Sequence, residues 1–497
     1  MRDRIRIAAR LSLLFAVLAL PASTAPAVEP EDGPMYLTDS HGASGVVYCM
    51  LSMADVDPKY LDCAEQTLKW LMHVAKRDEK GRIAWYLSES APKGHKNRRL
   101  QLPGMPLAAV LFLSAYEKTK RPEYKDTGLA AARWLADVGA DKWGTDLGIA
   151  YGWGWAFGQK GRVLVPGHSH GLGKYLQLML QARSLEPDHT FDKALDGILI
   201  HLKTNAVSMD GGACAWRSFQ WKHVKDKGAI LTGYCFGQAG VIIPLLETAM
   251  AMPDHKLSDG TTALALGNGG LRYLIRRAKP AMGGYVWPYM RFDKRSKNSG
   301  LGSGTGGIGL AFLRGYQANR KHGDKAFAAE CLKYAKGAAE YALARIERAP
   351  EDTRFVGGGG SGGFGVCGGA GGTAYFPMIL AKALGDPGYA ERVKKAAKRI
   401  SGFLIASGTP VGDMLAWPLT GGERKRHKVR EDVRTVNMAL DYGQTGVVLA
   451  LAEMGKYTQD KQVLAGARKA ADFVIHHAVK TDHGWKLARF VRIDAQP

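Results

Sequence analysis

The apolar stretches of this 497-residue chain keep opening on a pair of glycines. The clearest copy is Tyr234-Cys235-Phe236-Gly237-Gln238-Ala239-Gly240-Val241-Ile242-Ile243, which runs straight into a helix-like apolar segment. The same G-x-x-G-apolar pattern returns at Gly42–Gly45, Gly304–Gly307, Gly369–Gly372 and Gly443–Gly446. Two degenerate copies, Gly171-Leu172-Gly173 and Gly104-Met105-Pro106, fill the gaps. The first glycines fall at 42, 104, 171, 237, 304, 369 and 443, in steps of 62, 67, 66, 67, 65 and 74 residues. A period of this length marks a repeat architecture of seven units.

Within a unit the pattern changes twice. The glycines open an almost unbroken apolar run, such as Gly45-Val46-Val47-Tyr48-Cys49-Met50-Leu51, which predicts a helix buried all round. A turn rich in Asp, Pro and Lys follows, from Asp55 to Lys59. Next comes an amphipathic segment, Tyr60 to Leu71, with apolar residues at 60, 61, 64, 68 and 71 on the helical period. Comparable second helices are predicted over Thr127–Val138, Phe191–Leu202, Thr262–Arg277, Ala326–Ile346, Tyr389–Leu404 and Gln462–His476. A short strand-like segment then closes each unit, a glycine followed by aromatics. These run Gly81 to Trp85, Gly148 to Trp153, Gly211 to Trp216, Gly284 to Trp287, Gly412 to Trp417 and Gly484-Trp485; only the segment near Arg354-Phe355 lacks its tryptophan. The array predicts an all-α fold with short β segments, an (α/α)7 toroid with the apolar helices inside and the amphipathic ones outside. An open solenoid is the alternative, but inner helices this apolar do not suit solvent.

Arg2, Arg4, Arg6 and Arg10, the apolar run Leu11 to Leu20 and Ala25-Pro26-Ala27 read as a signal peptide over residues 1–27. Residues 28–497 then form a single toroid domain, exported to the periplasm or secreted. A retained N-terminal anchor is the rival reading. No later stretch approaches the roughly 20 apolar residues of a membrane helix. Cysteines stand at 49, 63, 214, 235, 331 and 367 without the spacing of a disulfide framework. Net charge is +22, and removing the leader's four Arg and one Asp leaves +19. Such a charge predicts affinity for an anionic polymer or saccharide. No basic helix interleaved with aromatics is present, nor a zinc-finger or RNA-binding signature, which argues against nucleic acid.

Glycines at the inner-helix starts gather those N-termini at one end of the barrel, a mouth suited to anions. Two positions before each first glycine the units read Ser40, Leu102, Ser169, Cys235, Gly302, Cys367 and Asp441. One position before, they read His41, Pro103, His170, Phe236, Ser303, Gly368 and Tyr442. These columns, with the H-G and C-x-G openings, resemble the lanthionine synthetase C-like proteins, which are seven-fold α/α toroids. The resemblance implies a catalytic histidine at His170 and a first zinc cysteine at Cys235. The Cys-His-Gly that the family carries in the next unit is Gly302-Ser303-Gly304 here, and a cysteine returns only at Cys367, followed by Gly368. Cyclase activity is therefore not implied, and no cofactor is expected. A zinc ion would have to recruit its ligands from Cys235, Cys367, His170 and His168.

Ring closure would bring Asp441 and Tyr442 near Ser40 and His41. A carboxylate orienting an imidazole beside a phenol is an acid/base set, with a hydrogen-bonded seam as the plain alternative. Junctions leading back to the mouth are basic, including Arg98, Arg99, Lys222, Arg295, Arg424 and Arg426, and Trp153, Trp216, Trp287 and Trp417 lie near them in sequence. Aromatic faces suit sugar rings, though each tryptophan equally suits a core. The expectation is an exported enzyme acting on an anionic saccharide or related polymer, with His41, His170, Tyr442 and Asp441 doing the chemistry. β-Elimination is favoured over hydrolysis, because hydrolysis normally needs two opposed carboxylates. A non-catalytic toroid binding an anionic polymer or peptide is the alternative, and a zinc-dependent cyclase-like enzyme the third reading.

Overall fold

In a computed structural model of the chain, the described residues are 43–85, 105–152, 167–168, 171–218, 229–289, 299–302, 304–322, 324–349, 364–419, 434–440, 443–487 and 490–493. The segment read as a signal peptide lies outside them. Each unit supplies an inner helix followed by an outer one. In chain order these are α1 (Ala43–Met53) and α2 (Lys59–Val74), α3 (Met105–Thr119) and α4 (Pro122–Trp134), α5 (Leu172–Leu185) and α6 (His189–Thr204), then α7 (Gln238–Ala251) and α8 (Ala263–Arg277). The remaining pairs are α9 (Thr305–His322) with α10 (Lys325–Arg348), α11 (Ala370–Thr373) continuing as α12 (Tyr375–Leu384) with α13 (Pro387–Ala406), and α14 (Gln444–Thr458) with α15 (Lys461–His476).

The inner helices touch in a closed sequence, α1 to α3, α5, α7, α9, α12, α14 and back to α1. The chain is thus an α/α toroid. Closure follows from hydrophobicity: every residue of α7 from Gln238 to Ala249 is buried, so each inner helix needs a neighbour on both flanks as well as an outer partner. The seam adds specific bonds. Ser52 Oγ donates to Glu453 Oε1 at 2.9 Å, Tyr60 OH donates to Asp472 Oδ1 at 3.0 Å, and Lys59 pairs with the same carboxylate at 2.8 Å. Gly484, at φ 123°, lies so close to α2 that a Cβ there would stand 2.2 Å from the Gln66 carbonyl oxygen. Only glycine satisfies both conditions.

The polar turn between the helices has a defined task. Asp188, Asp324, Asp386 and Asp460 each accept a backbone N–H from the first turn of an outer helix, and Thr262 does so for α8. Such caps satisfy donors that a helix start leaves open. The expected second helices are all present. That of unit two begins at Pro122 rather than Thr127, since proline fits the first helical position, and it ends in a π turn over Leu135–Gly139.

The strand-like segments are second arms of antiparallel hairpins rather than lone strands. The pairs are β1 (Lys76–Arg77) with β2 (Ile83–Ala84), β3 (Asp141–Thr145) with β4 (Gly148–Gly152), and β5 (Val207–Met209) with β6 (Ala213–Ala215). They continue as β7 (Lys279–Ala281) with β8 (Gly284–Val286), β9 (Thr409–Val411) with β10 (Met414–Ala416), and, after β11 (Thr435–Asn437), β12 (Ala478–Thr481) with β13 (Gly484–Leu487). First arms such as Lys279-Pro280-Ala281 follow the helix directly and, apart from Trp143 in β3, carry no aromatic residue. Strand β14 (Phe490–Arg492) returns to pair with β11, tying the C-terminal segment to the loop that leads into α14.

Candidate functional site at the glycine mouth

Backbone hydrogen bonds lace the loops before the inner helices into a girdle. The His168 N–H reaches the Tyr234 carbonyl at 3.1 Å, and the N–H groups of Tyr234 and Cys235 reach the Gly302 carbonyl at 2.8 and 3.0 Å. Gly302 N–H in turn reaches the Cys367 carbonyl at 2.9 Å. Residues at matching places before the glycines of units three to six therefore stand side by side, as the sequence columns predict. The spacing leaves no room for side chains at the helix starts. A Cβ on Gly240 would lie 1.9 Å from the Tyr234 carbonyl oxygen and 2.4 Å from the His168 nitrogen.

Two groups in this girdle are chemically notable. His168 is buried, stacks on the Tyr234 ring at 4.8 Å, and pairs through Nε2 with the Gln177 side chain. Burial, reinforced by the nearby Lys174 ammonium, lowers its pKa to about 3, so the imidazole is neutral at any ordinary pH. The second is Tyr289, whose phenol is held well above its usual range by burial and by the thiols of Cys235 and Cys367. One tyrosine thus feels both cysteines.

Between those cysteines lies Gly302, hydrogen-bonded to each. All six cysteines are buried thiols outside any disulfide. Among the described residues no three His, Cys, Asp or Glu side chains are grouped to hold a metal ion, His168, Cys235 and Cys367 included, and His170 lies outside those residues. His168 Nε2 is engaged by Gln177, and Gly302, between the two cysteines, offers no side chain.

Three tryptophans expected to face a saccharide are structural instead. Trp216, Trp287 and Trp417 are buried, and their indole N–H groups donate to the carbonyls of Leu202, Leu274 and Leu404 at 2.8, 2.7 and 3.0 Å. Trp85 does the same to Leu71 at 2.8 Å. Each acceptor lies in the last turns of an outer helix, where carbonyls lack partners within the helix. Gln238, just after the first glycine of unit four, completes the clamp by bonding both the N–H and the C=O of Trp216 at 2.9 and 2.7 Å. Gln444 plays a related part in unit seven, accepting from the Trp417 N–H at 3.2 Å and donating to the Leu415 and Ala470 carbonyls at 2.8 and 2.9 Å. The sequence showed the tryptophan period but not the glutamine that answers it. Trp216→Phe is expected to cost about 1 kcal/mol of stability, the net worth of one buried hydrogen bond, with no loss of saccharide affinity. Thermal unfolding and a binding titration on one sample check both halves.

The other predicted site residues, His41, His170, Asp441, Tyr442, Arg98, Arg99, Lys222, Arg295, Arg424, Arg426 and Trp153, lie outside the described residues. The elements that follow some of them in the chain are placed. α14, which follows Asp441 and Tyr442, packs against α1, which follows His41.

No protein-family model matches this sequence, and no curated protein matches it either. Among solved structures the chain is similar to nisin cyclase, with TM-score 0.51 and 14% identity over 95% of this chain and 98% of that one. A GH76 α-mannanase of Bacteroides thetaiotaomicron gives TM-score 0.39 at 12% identity, over 63% of this chain and 76% of that chain. A GH76 mannosidase of the same organism gives 0.38 at 12%, over 69% and 86%. The architecture is an α/α toroid like that of nisin cyclase. At this identity the likeness is one of fold.

Proposed function

We propose that this protein is an enzyme that works at the glycine mouth on an anionic saccharide or related polymer, by acid/base chemistry of the β-elimination type. The observation that supports it is the closed ring with its girdle, which sets equivalent pre-glycine positions beside one another and makes units seven and one neighbours. In this reading His41, oriented by Asp441, takes the proton next to the carboxylate of an acidic sugar. The electron pair forms the new C=C bond as the C–O bond to the neighbouring sugar breaks, and Tyr442 protonates the departing oxygen. His170 serves the same mouth, and Arg98, Arg99, Lys222, Arg295, Arg424 and Arg426 neutralise substrate carboxylates, which acidifies the proton to be removed.

The test is a panel of acidic polysaccharides monitored by ultraviolet absorbance of the unsaturated product. His41→Ala and Tyr442→Phe are each expected to lower turnover by about 100-fold or more while leaving affinity within a few-fold, in line with the usual weight of one acid or base. Tight binding with no product from any member of the panel would sink the enzymatic reading and leave a binding toroid.

A further inference from the structure

Charge is unevenly distributed around the outer ring. Helices α2, α4 and α6 each carry two basic and two acidic residues among Lys, Arg, Asp and Glu. Every outer helix from α8 onward is net positive: α8 has three Arg and no acid, α10 five bases against three acids, α13 five against one, and α15 three against one. The last three stand together, with α13 packed between α10 and α15.

Four of the five acids on these three helices are already engaged. Arg392 holds Glu340 at 2.7 Å and Glu347 at 2.6 Å, Glu391 faces Lys394 at 3.9 Å, and Asp472 is drawn across the seam to Lys59 at 2.8 Å. Lys333, Lys336, Lys395, Lys398, Lys461 and Lys469 are left exposed, with no acidic partner among the described residues. Lys333 with Lys336, and Lys395 with Lys398, are three apart and share a helix face, where like charges cost a few tenths of a kcal/mol per pair. Glu330, Glu340 and Glu391 stand one turn from Lys333, Lys336 and Lys395 and offset part of that repulsion, but the three helices together remain net positive. An anion laid along the wall offsets the rest.

We propose that the outer wall formed by α10, α13 and α15 is a second binding surface, separate from the mouth, for an acidic linear polysaccharide. The shape selects the occupant. Three helices side by side on the outside of a ring make a convex face, which a flat bilayer meets only along its crest and a flexible chain can follow. The chemistry agrees, because ammonium groups on long stems are mobile point charges that meet carboxylates spaced along a polymer without fixed bidentate geometry. The wall raises the local concentration of the polymer around the molecule whether or not the mouth turns it over.

The experiment compares the whole mature protein with two matched variants by titration against polygalacturonate. Dextran is the neutral control, and vesicles containing anionic phospholipid are the alternative probe. One variant reverses the wall (Lys336→Glu, Lys395→Glu, Lys398→Glu and Lys469→Glu). The other reverses four exposed lysines on the balanced side (Lys69→Glu, Lys80→Glu, Lys142→Glu and Lys193→Glu). The wall variant is expected to bind polygalacturonate at least about 10-fold more weakly, and the balanced-side variant within about twofold of the parent, both differences shrinking with added salt. Equal losses in the two variants overturn the proposal, since net charge alone would then explain binding. Vesicle binding abolished by the wall variant, with polygalacturonate binding unchanged, overturns it in favour of a membrane surface. Should the glutamate set fail to fold, the same four positions as glutamine keep the comparison, with a correspondingly smaller loss. The readout is affinity, so absence of turnover at the mouth does not affect it.

Discussion

Arg314→Met is expected to destabilise the toroid by about 3–5 kcal/mol, the usual effect of stranding a buried charge. Arg314 on α9 pairs through Nε with Glu247 on α7 at 3.2 Å, and its Nη1 donates to Gln317 at 2.7 Å. Their side chains are only 3% and 8% exposed, so water cannot take the place of the lost partner. The companion variant Arg314→Met with Glu247→Leu is expected to recover most of the loss, because two apolar side chains remove both charges from the core. Urea unfolding of the parent, the single and the double variant decides it. If the double variant is no more stable than Arg314→Met alone, then packing around Arg314, rather than the carboxylate that has lost its arginine, is what the fold depends on.

That ion pair belongs to a pattern running round the barrel. Ten residues after the first glycines the units read Ser52, Ser114, Gln181, Glu247, Arg314, Ile379 and Glu453. Neighbouring members bond where partners exist, as Ser52 with Glu453 and Glu247 with Arg314. Farther up, burial raises the phenols of Tyr48 and Tyr375 far above their usual range, and the Glu453 charge adds to it. The glycine period makes this belt readable in the sequence, ten positions past each first glycine. A polar residue in an apolar run is easily taken for noise when only one helix is considered. It becomes a layer once the helices are ranged round a ring.

The same contrast explains which expectations held. Period, helix pairing and ring closure were legible because each rests on hydrophobic pattern, which one sequence states plainly. The roles of Trp216, Trp287 and Trp417 were not, because stacking on a sugar and capping a helix both call for an indole at the end of a strand. The partner carbonyl 13 or 14 residues upstream decides between them, and only the packed structure supplies it. Cys235 and Cys367 stand in one column, two units apart, and Gly302, which lies between them in the girdle, offers no side chain.

Acidification from pH 6.5 to pH 4.5 is expected to cost roughly 5 kcal/mol of stability, about half from each of two buried histidines, at ~1.4 kcal/mol per pH unit per group. Burial lowers the pKa of His168 to about 3 and that of His201 to about 4, against an ordinary value of 6.5. His201 lies under the β3–β4 hairpin, where its Nδ1–H donates to the Tyr151 carbonyl at 2.9 Å and Trp143 meets the ring edge-on at 4.8 Å. The unfolded chain takes up both protons as pH falls through 6.5, whereas the folded one refuses them until its lowered pKa values are reached, so stability declines across that interval and levels off below it. His255 opposes the trend: the Asp196 carboxylate raises its pKa, so its contribution is full in acid and is lost as pH rises. The lowered carboxylates, such as Glu186 beside Arg133 and Glu347 beside Arg392, lose their share only as pH falls through their own range, from about 4.5 downward. The interval above pH 4.5 therefore belongs to the histidines. Thermal unfolding in steps from pH 7.5 to 4.5 should show the decline, and His201→Gln should flatten it by about half. A variant whose stability falls with the parent's slope would mean that His201 is not the group that resists its proton.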